Sequence, residues 1–266
     1  MVSVQKEKGI ALVTGGAQRL GKSICLFLAH YGYDIVIHYW KSEEEALLLS
    51  KQIETFGRKC YIFKADLLDE VEMLELIPRI SKKISGKLNL LINNASIFEY
   101  DNYGNASIDS WNRHINSNLK APFFLTQSFS KQIPDPYCND DGEFYANANV
   151  INIVDQRVKK PTPQFITYSL AKMALMSLTI TSAQALCPGI RVNAIGPGPT
   201  LQGKRQSDDH YDTQRKSTIL GRGASPDEIS NTIKYYLESP GVTGQVICVD
   251  GGQHLAWQTK DVLGVE

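Results

Sequence analysis

Seven short apolar runs, rich in β-branched residues, recur along the 266-residue chain at 10–13, 35–37, 61–63, 88–92, 150–154, 191–195 and 246–249. They barely alternate with polar residues, the pattern of strands buried on both faces. Longer segments with helical spacing lie between them, at 20–31, 42–57, 70–84, 110–133, 164–187 and 226–237. Strand, helix, strand, repeated in this way, implies a parallel sheet covered by helices on both sides. The expected architecture is therefore one α/β domain over 1–266, with a doubly wound, seven-stranded parallel sheet. The helix at 42–57 has its own punctuation: Ser42 as N-cap, Glu45 reaching back in a capping box, and a stop at Gly57. Two stretches interrupt the rhythm. Residues 134–149 are polar and turn-rich and read as a surface insertion. Residues 198–223 are long, polar and glycine-containing, and follow a strand end. Such folds bind ligands at strand C-termini, so 198–223 is the expected substrate loop.

Composition narrows the function classes. With 28 Lys+Arg against 28 Asp+Glu, no bulk charge favours nucleic acid or a membrane surface. Cys25, Cys60, Cys138, Cys187 and Cys248 form no CxxC, so free thiols in a reducing compartment are expected rather than disulfides or zinc. The five histidines lack metal-ligand spacing, and no metal is expected. The N-terminus has no apolar leader-like stretch, and no apolar run approaches the roughly 20 residues that span a bilayer. The reading is a soluble cytoplasmic protein.

The first strand runs into Thr14-Gly-Gly-Ala-Gln-Arg-Leu-Gly-Lys-Ser23. A glycine turn before a helix lets backbone N–H groups approach a phosphate. Gly16 to Ser23 also satisfies GxxxxGK[ST], which would make the chain a P-loop NTPase. No acidic magnesium ligand stands at a strand end except Asp155 and Asp250, which belong to other patterns. The alternative is a dinucleotide fold in which Gly15 and Gly21 flank the turn. Tyr168-Ser-Leu-Ala-Lys172 puts a phenol and an ammonium on one helical face, where the cation should lower the Tyr pKa towards the range of an acid/base catalyst. Thr14-Gly15, Asn94-Ala95, Asn118, Pro197-Gly198 and Asp250-Gly-Gly252 follow in order and support that alternative.

Together these motifs resemble the short-chain dehydrogenase/reductase family, a Rossmann-type fold, over about residues 9–254. Within it the chain is most similar to pteridine reductases and dihydromonapterin reductases. Arg19 stands in the turn where most of the family has glycine. His38-Tyr39-Trp40-Lys41-Ser42 is similar to the His-Tyr-x-Arg-Ser of pteridine reductases. Asn94-Ala95-Ser96-Ile97-Phe98 replaces Asn-Ala-Gly, and Asp155 lies thirteen residues before Tyr168, where serine is usual.

The resemblance implies an NADPH-dependent reductase of a pterin-type substrate. The pyrophosphate would lie at Gly15–Gly21, over Arg19 and Leu20. His38, Tyr39 and Trp40 end the second strand, and Lys41 and Ser42 would take a 2′-phosphate, since no carboxylate stands there for a ribose hydroxyl. Asp66 and Leu67 would meet the adenine, and Asn94, Ala95 and Ser96 the ribose side. Lys172 would hold the nicotinamide ribose, and Pro197, Gly198 and Thr200 the carboxamide side. Asn118 would organise a helix bend and a water path from Lys172. The flat heteroaromatic substrate would meet Arg19, Ser96, Phe98, Asp155 and Tyr168, with Phe98 stacked on its ring. Asp155 and Tyr168 would handle the proton that accompanies reduction of a C=N bond. A homotetramer built partly from 164–187, with Trp257 at a subunit contact, is implied as well. The alternatives are a carbonyl or 3-oxoacyl reductase, where Asp155 would be anomalous, the P-loop NTPase, and a non-catalytic NADPH sensor.

Overall fold

The side chains of β1 (Gly9–Val13) and β2 (Tyr33–Tyr39) explain why the strands read as unbroken apolar runs. Ala11, Val13, Ile35 and Ile37 point into one core, and Ile10, Leu12 and Val36 into another on the opposite face. Both faces are dry, so neither tolerates polar residues. In the computed structural model, which describes residues 8–203 and 206–257, this pattern extends across a sheet of order β3-β2-β1-β4-β7-β8-β9. The remaining strands of that sheet are β3 (Cys60–Lys64), β4 (Leu88–Asn93), β7 (Ala148–Ile153), β8 (Ile190–Pro197) and β9 (Val246–Val249). Every ladder is parallel. Helices α1 (Arg19–Tyr31), α2 (Glu43–Glu54) and α8 (Pro226–Glu238) supply buried residues to the first core, among them Ile24, Leu28, Leu49 and Ile233. Helices α3 (Glu70–Lys83), α5 (Ala121–Ser130) and α6 (Ile166–Leu186) cover the other face with Leu76, Ile80, Phe129 and Ala183. The expected seven-stranded, doubly wound sheet is the fold. The strand order reverses between β1 and β4, and a cleft opens there at the strand C-termini.

Several local expectations are corrected. Ser42 precedes α2 but makes no side-chain cap, and Glu45 instead accepts a hydrogen bond from Gln18. The helix expected at 110–133 is two helices, α4 (Ile108–Ile115) and α5, joined by a π-helical turn at Asn116–Lys120. The helix expected from 164 starts at Ile166, because Phe165 before it adopts a left-handed backbone (φ 56°, ψ 46°). The stretch 134–149 contains a small hairpin of β5 (Tyr137–Cys138) and β6 (Phe144–Tyr145), and its last two residues begin β7. Within 198–223 lies a helix with no apolar stripe, α7 (Asp208–Lys216), none of whose residues is buried. Lys204 and Arg205 of that loop lie outside the described residues, as do residues 1–7. All five cysteines are free, and among the described residues no group of side chains could hold a metal and no helix is long and apolar enough to cross a membrane.

Candidate active site

The cleft has a volume of about 740 Å³. Its first end is built almost entirely from main chain. Gly15 is left-handed (φ 60°), and a Cβ on Gly21 would lie 2.2 Å from the Gly15 carbonyl oxygen and 2.7 Å from Asn94 Nδ2. Only glycine permits that approach. Asn94 Nδ2 donates to the carbonyls of Thr14 and Gly15, while Thr14 Oγ1 accepts from the N–H groups of Asn94 and Ala95. His38 Nδ1 accepts the Gly15 N–H at 3.0 Å, and its Nε2 lies 3.0 Å from the Ala65 carbonyl. A carbonyl only accepts, so Nε2 carries the proton and the ring is neutral. Burial agrees, lowering the imidazole to about 4. His38 borders the cleft, yet both ring nitrogens are committed to the scaffold.

Helix α1 begins at this turn, and Gln18 gives it no side-chain cap. Gln18, Arg19, Leu20 and Gly21 border the cleft, so the helix start offers backbone donors suited to a phosphate. Lys22, required by the P-loop pattern, is exposed and absent from the cleft wall, and Ser23 Oγ turns to the Arg19 carbonyl of its own helix. Arg19 is itself left-handed (φ 52°), and its guanidinium donates to the carbonyls of Leu201 and Gln202, tying the turn to the loop after β8. Tyr39, Trp40, Lys41 and Ser42 continue the wall, with Trp40 and Lys41 exposed. Asp66 and Leu67 also border it, and the Asp66 carboxylate caps its own turn through the Leu68 N–H.

The other end is made of side chains brought from separate elements. Asp155 follows β7, and Tyr168 and Lys172 project from α6. The Tyr168 hydroxyl donates to Asp155 Oδ2 at 2.9 Å. Asp155 also caps the 3₁₀ turn Gln156–Val158, its Oδ1 accepting the Arg157 N–H. The expected lowering of the Tyr168 pKa is overturned: burial, then the charge and hydrogen bond of Asp155, push the phenol well above its ordinary value, while Arg157 and Ser96 pull it down. The Lys172 ammonium makes its hydrogen bond with the main chain rather than with the phenol. Its Nζ donates to the Ile153 carbonyl at 2.7 Å and stands 5.8 Å from the centre of the Tyr168 ring. Burial lowers this lysine to about 8, against the charge of Asp155, which raises it.

Most of the residues singled out in the sequence meet on this wall. Ala95, Ser96, Phe98, Pro197 and Gly198 join those already described. Asn118 and Thr200 are buried behind it. Asn118 sits in the π-helical turn and clamps the Ile97 backbone through both its amide atoms, at 2.9 Å each. Thr200 Oγ1 donates to the Gly198 carbonyl. Phe98 is half exposed; it stacks on Phe165 at 4.4 Å and meets the Tyr168 ring edge-on at 4.7 Å.

Other site residues escaped sequence reading. Arg157 pairs with Asp155 from two positions along; a cation that close to a candidate catalytic carboxylate was the available signal. A buried network backs Tyr168: His114 Nδ1 lies 2.7 Å from Thr167 Oγ1, which donates to Asp101, while His114 Nε2 accepts the Glu99 N–H. The Asp101 carbonyl also accepts the Phe165 N–H at 2.7 Å, supporting its left-handed backbone. No spacing rule connects residues 101, 114 and 167.

A short chain dehydrogenase family model matches residues 9–211. Similar solved structures include the FolM alternative dihydrofolate reductase 1 of Brucella suis in complex with NADP. It is 40% identical with a TM-score of 0.88, over 96% of this chain and 98% of that one. Pteridine reductase 1 of Leishmania tarentolae is 30% identical, over 92% of this chain and 96% of its own. A 3-oxoacyl-[acyl-carrier-protein] reductase, FabG, of Staphylococcus epidermidis is 28% identical, over 92% and 98% respectively.

Proposed function

The chain belongs to the short-chain dehydrogenase family of oxidoreductases, and from that premise we propose that it is an NADPH-dependent reductase of a pterin-type ring, such as a dihydropterin or dihydrofolate. The observation that carries this reading is the Tyr168–Asp155 hydrogen bond at the inner end of the cleft, beside the exposed Phe98. A carboxylate beside the phenol would repel an alkoxide forming from a ketone. It suits a C=N substrate, in which hydride reduces the carbon and the proton goes to nitrogen.

The coenzyme fits the residues present. The turn has glycine wherever a Cβ would fill the space, and the uncapped start of α1 supplies donors for a pyrophosphate. No carboxylate occurs from His38 to Ser42, whereas Lys41 and Ser42 border the cleft and suit a 2′-phosphate. When bound, the reduced nicotinamide supplies hydride to a substrate carbon. The chain's own part is positional and protic. Arg19 and the glycine turn orient the diphosphate, Lys172 the ribose, and Phe98 the flat ring. Tyr168 gives a proton to the ring nitrogen as carbon is reduced, so that C=N becomes CH–NH, and the phenol is refilled from solvent. The described parts of the loop, 198–203 and 206–223, are proposed to flank the substrate, and α6 to serve as a face of a homotetramer.

A panel of dihydropterins, dihydrofolate, quinonoid pterins and simple ketones, each with NADPH and with NADH, tests the reading. Pterin or folate turnover with NADPH at least about tenfold better than with NADH is expected, one 2′-phosphate contact being worth that much. Turnover confined to ketones would replace this reading with a carbonyl reductase, in line with the similarity to the 3-oxoacyl reductase. Equal use of NADH would defeat the coenzyme assignment.

A further inference from the structure

Resting on the proton-transfer reading above, we propose that Arg157 is a positioning residue that locks Asp155 as the hydrogen-bond acceptor of Tyr168, so that Tyr168 and not Asp155 surrenders the proton. Five contacts define its place. Its backbone N–H donates to Asp155 Oδ1 at 2.9 Å, and its guanidinium Nη1 lies 3.4 Å from both carboxylate oxygens. The guanidinium carbon stands 5.5 Å from the centre of the Phe98 ring and 5.2 Å from that of Phe165. The side chain is about one-sixth exposed, and its Nε is buried with no hydrogen-bond partner among the described residues. A buried donor left unpaired costs free energy. The carboxylate partner and the aromatic pair are the contacts that offset this cost and hold the pose.

The consequence for chemistry follows from which atoms are already engaged. Asp155 Oδ1 is held by the main chain and Oδ2 receives the phenol, so the carboxylate has acceptor positions filled on both oxygens. Both oxygens act as acceptors in this arrangement, the role of an ionised carboxylate rather than of a donating acid. An unopposed carboxylate would also grip the Tyr168 proton. Arg157 offsets that grip, and the phenol is freer to release its proton to a substrate nitrogen. The other charged or titratable groups that interact with the carboxylate are Tyr168 and Lys172 from α6 and Cys248 from β9, and Cys248 in turn feels Lys159 beyond the 3₁₀ turn. Among the described residues only Arg157 makes an ion pair with it.

The test is a double-mutant cycle of Arg157→Met and Asp155→Asn, with Arg157→Lys as the conservative variant. Single-turnover rates are read over a pH series, and NADPH affinity is read by fluorescence. Arg157→Met should lower the rate about tenfold or more and shift the acid limb of the profile to higher pH, leaving KM and NADPH affinity nearly unchanged. Arg157→Lys should recover most of the loss. In the Asp155→Asn background, Arg157→Met should change the rate by less than about twofold, since its partner is gone. A rate that rises in Arg157→Met would make Asp155 the acid and overturn the proposal. So would an equal loss in the Asp155→Asn background, which marks a packing role beneath Phe98 and Phe165. If Arg157→Met does not fold, Arg157→Gln carries the same cycle. If the wild type reduces only ketones, the pterin reading fails while the cycle on a ketone still decides the role of Arg157.

Discussion

At the phosphate end of the cleft the working groups are main-chain N–H donors, and side chains such as Asn94 and His38 stand behind them as buttresses. At the proton-transfer end the working groups are side chains, and the main chain is the buttress: the Ile153 carbonyl holds Lys172 and the Arg157 N–H holds Asp155. The first end depends on shape, on whether a Cβ fits. The second depends on charge, on how burial and neighbours place protons. Substitutions at the two ends should therefore fail in different ways.

The largest effect is expected at the charged end. Tyr168→Phe keeps the ring against Phe98 and removes only the hydroxyl. It should cut kcat about a thousandfold, within the usual range for losing an acid catalyst, with coenzyme affinity unchanged by fluorescence titration. Loss of affinity instead would mean that this end also binds through shape, and the contrast would break.

Gly21→Ala probes the other end. Its Cβ would press on the Gly15 carbonyl at 2.2 Å, and backbone cannot yield as a flexible side chain does. Coenzyme binding should weaken by about ten- to a hundredfold, the cost of overpacking by 1–3 kcal/mol, with kcat at saturating coenzyme nearly preserved. A matching fall in kcat would show that the turn also aligns the reacting atoms.

The smallest effect sharpens the contrast through stability. Burial lowers Lys172 from 10.5 to about 8, so the folded state penalises its ammonium. That penalty is present in full below about pH 8 and fades as pH rises towards 10.5, where the unfolded lysine also loses its proton. Lys172→Met removes it. The variant should be inactive yet melt at or above the wild type at pH 7, by an amount on the order of 1–3 kcal/mol, and the gap should narrow towards pH 10. Thermal melts across this range check it; a gap that widens with pH would show that the Ile153 hydrogen bond, not the buried charge, dominates at Lys172.

The fold was legible because its causes are local and repeated. Each strand carries its own apolar run, and Gly57 (φ 73°) and Gly32 (φ 113°) sit where helices stop. Boundaries slipped where tertiary contacts overrode local preference. Phe165 takes a left-handed backbone because Asp101 and Phe98 hold it there, and the π-helical turn places Asn118 against Ile97. The motif residues of the site were legible too, but not their couplings. Tyr168 and Lys172 lie four apart, and the expected pull of the cation on the phenol assumed that spacing implies contact. Lys172 instead reaches Ile153, a strand residue, and Asp155 claims the hydroxyl.

The sequence by itself determined the parallel sheet, the glycine turn and the set of polar residues at the strand ends, since periodicity and Cβ sterics act within a few residues of each cause. Only the tertiary structure decided which proton sits where. Arg157 reaches Asp155, and His114, held by Thr167 and so by Asp101, packs on the Tyr168 ring; the state of a buried group is set by burial and by every charge around it, which no linear spacing records.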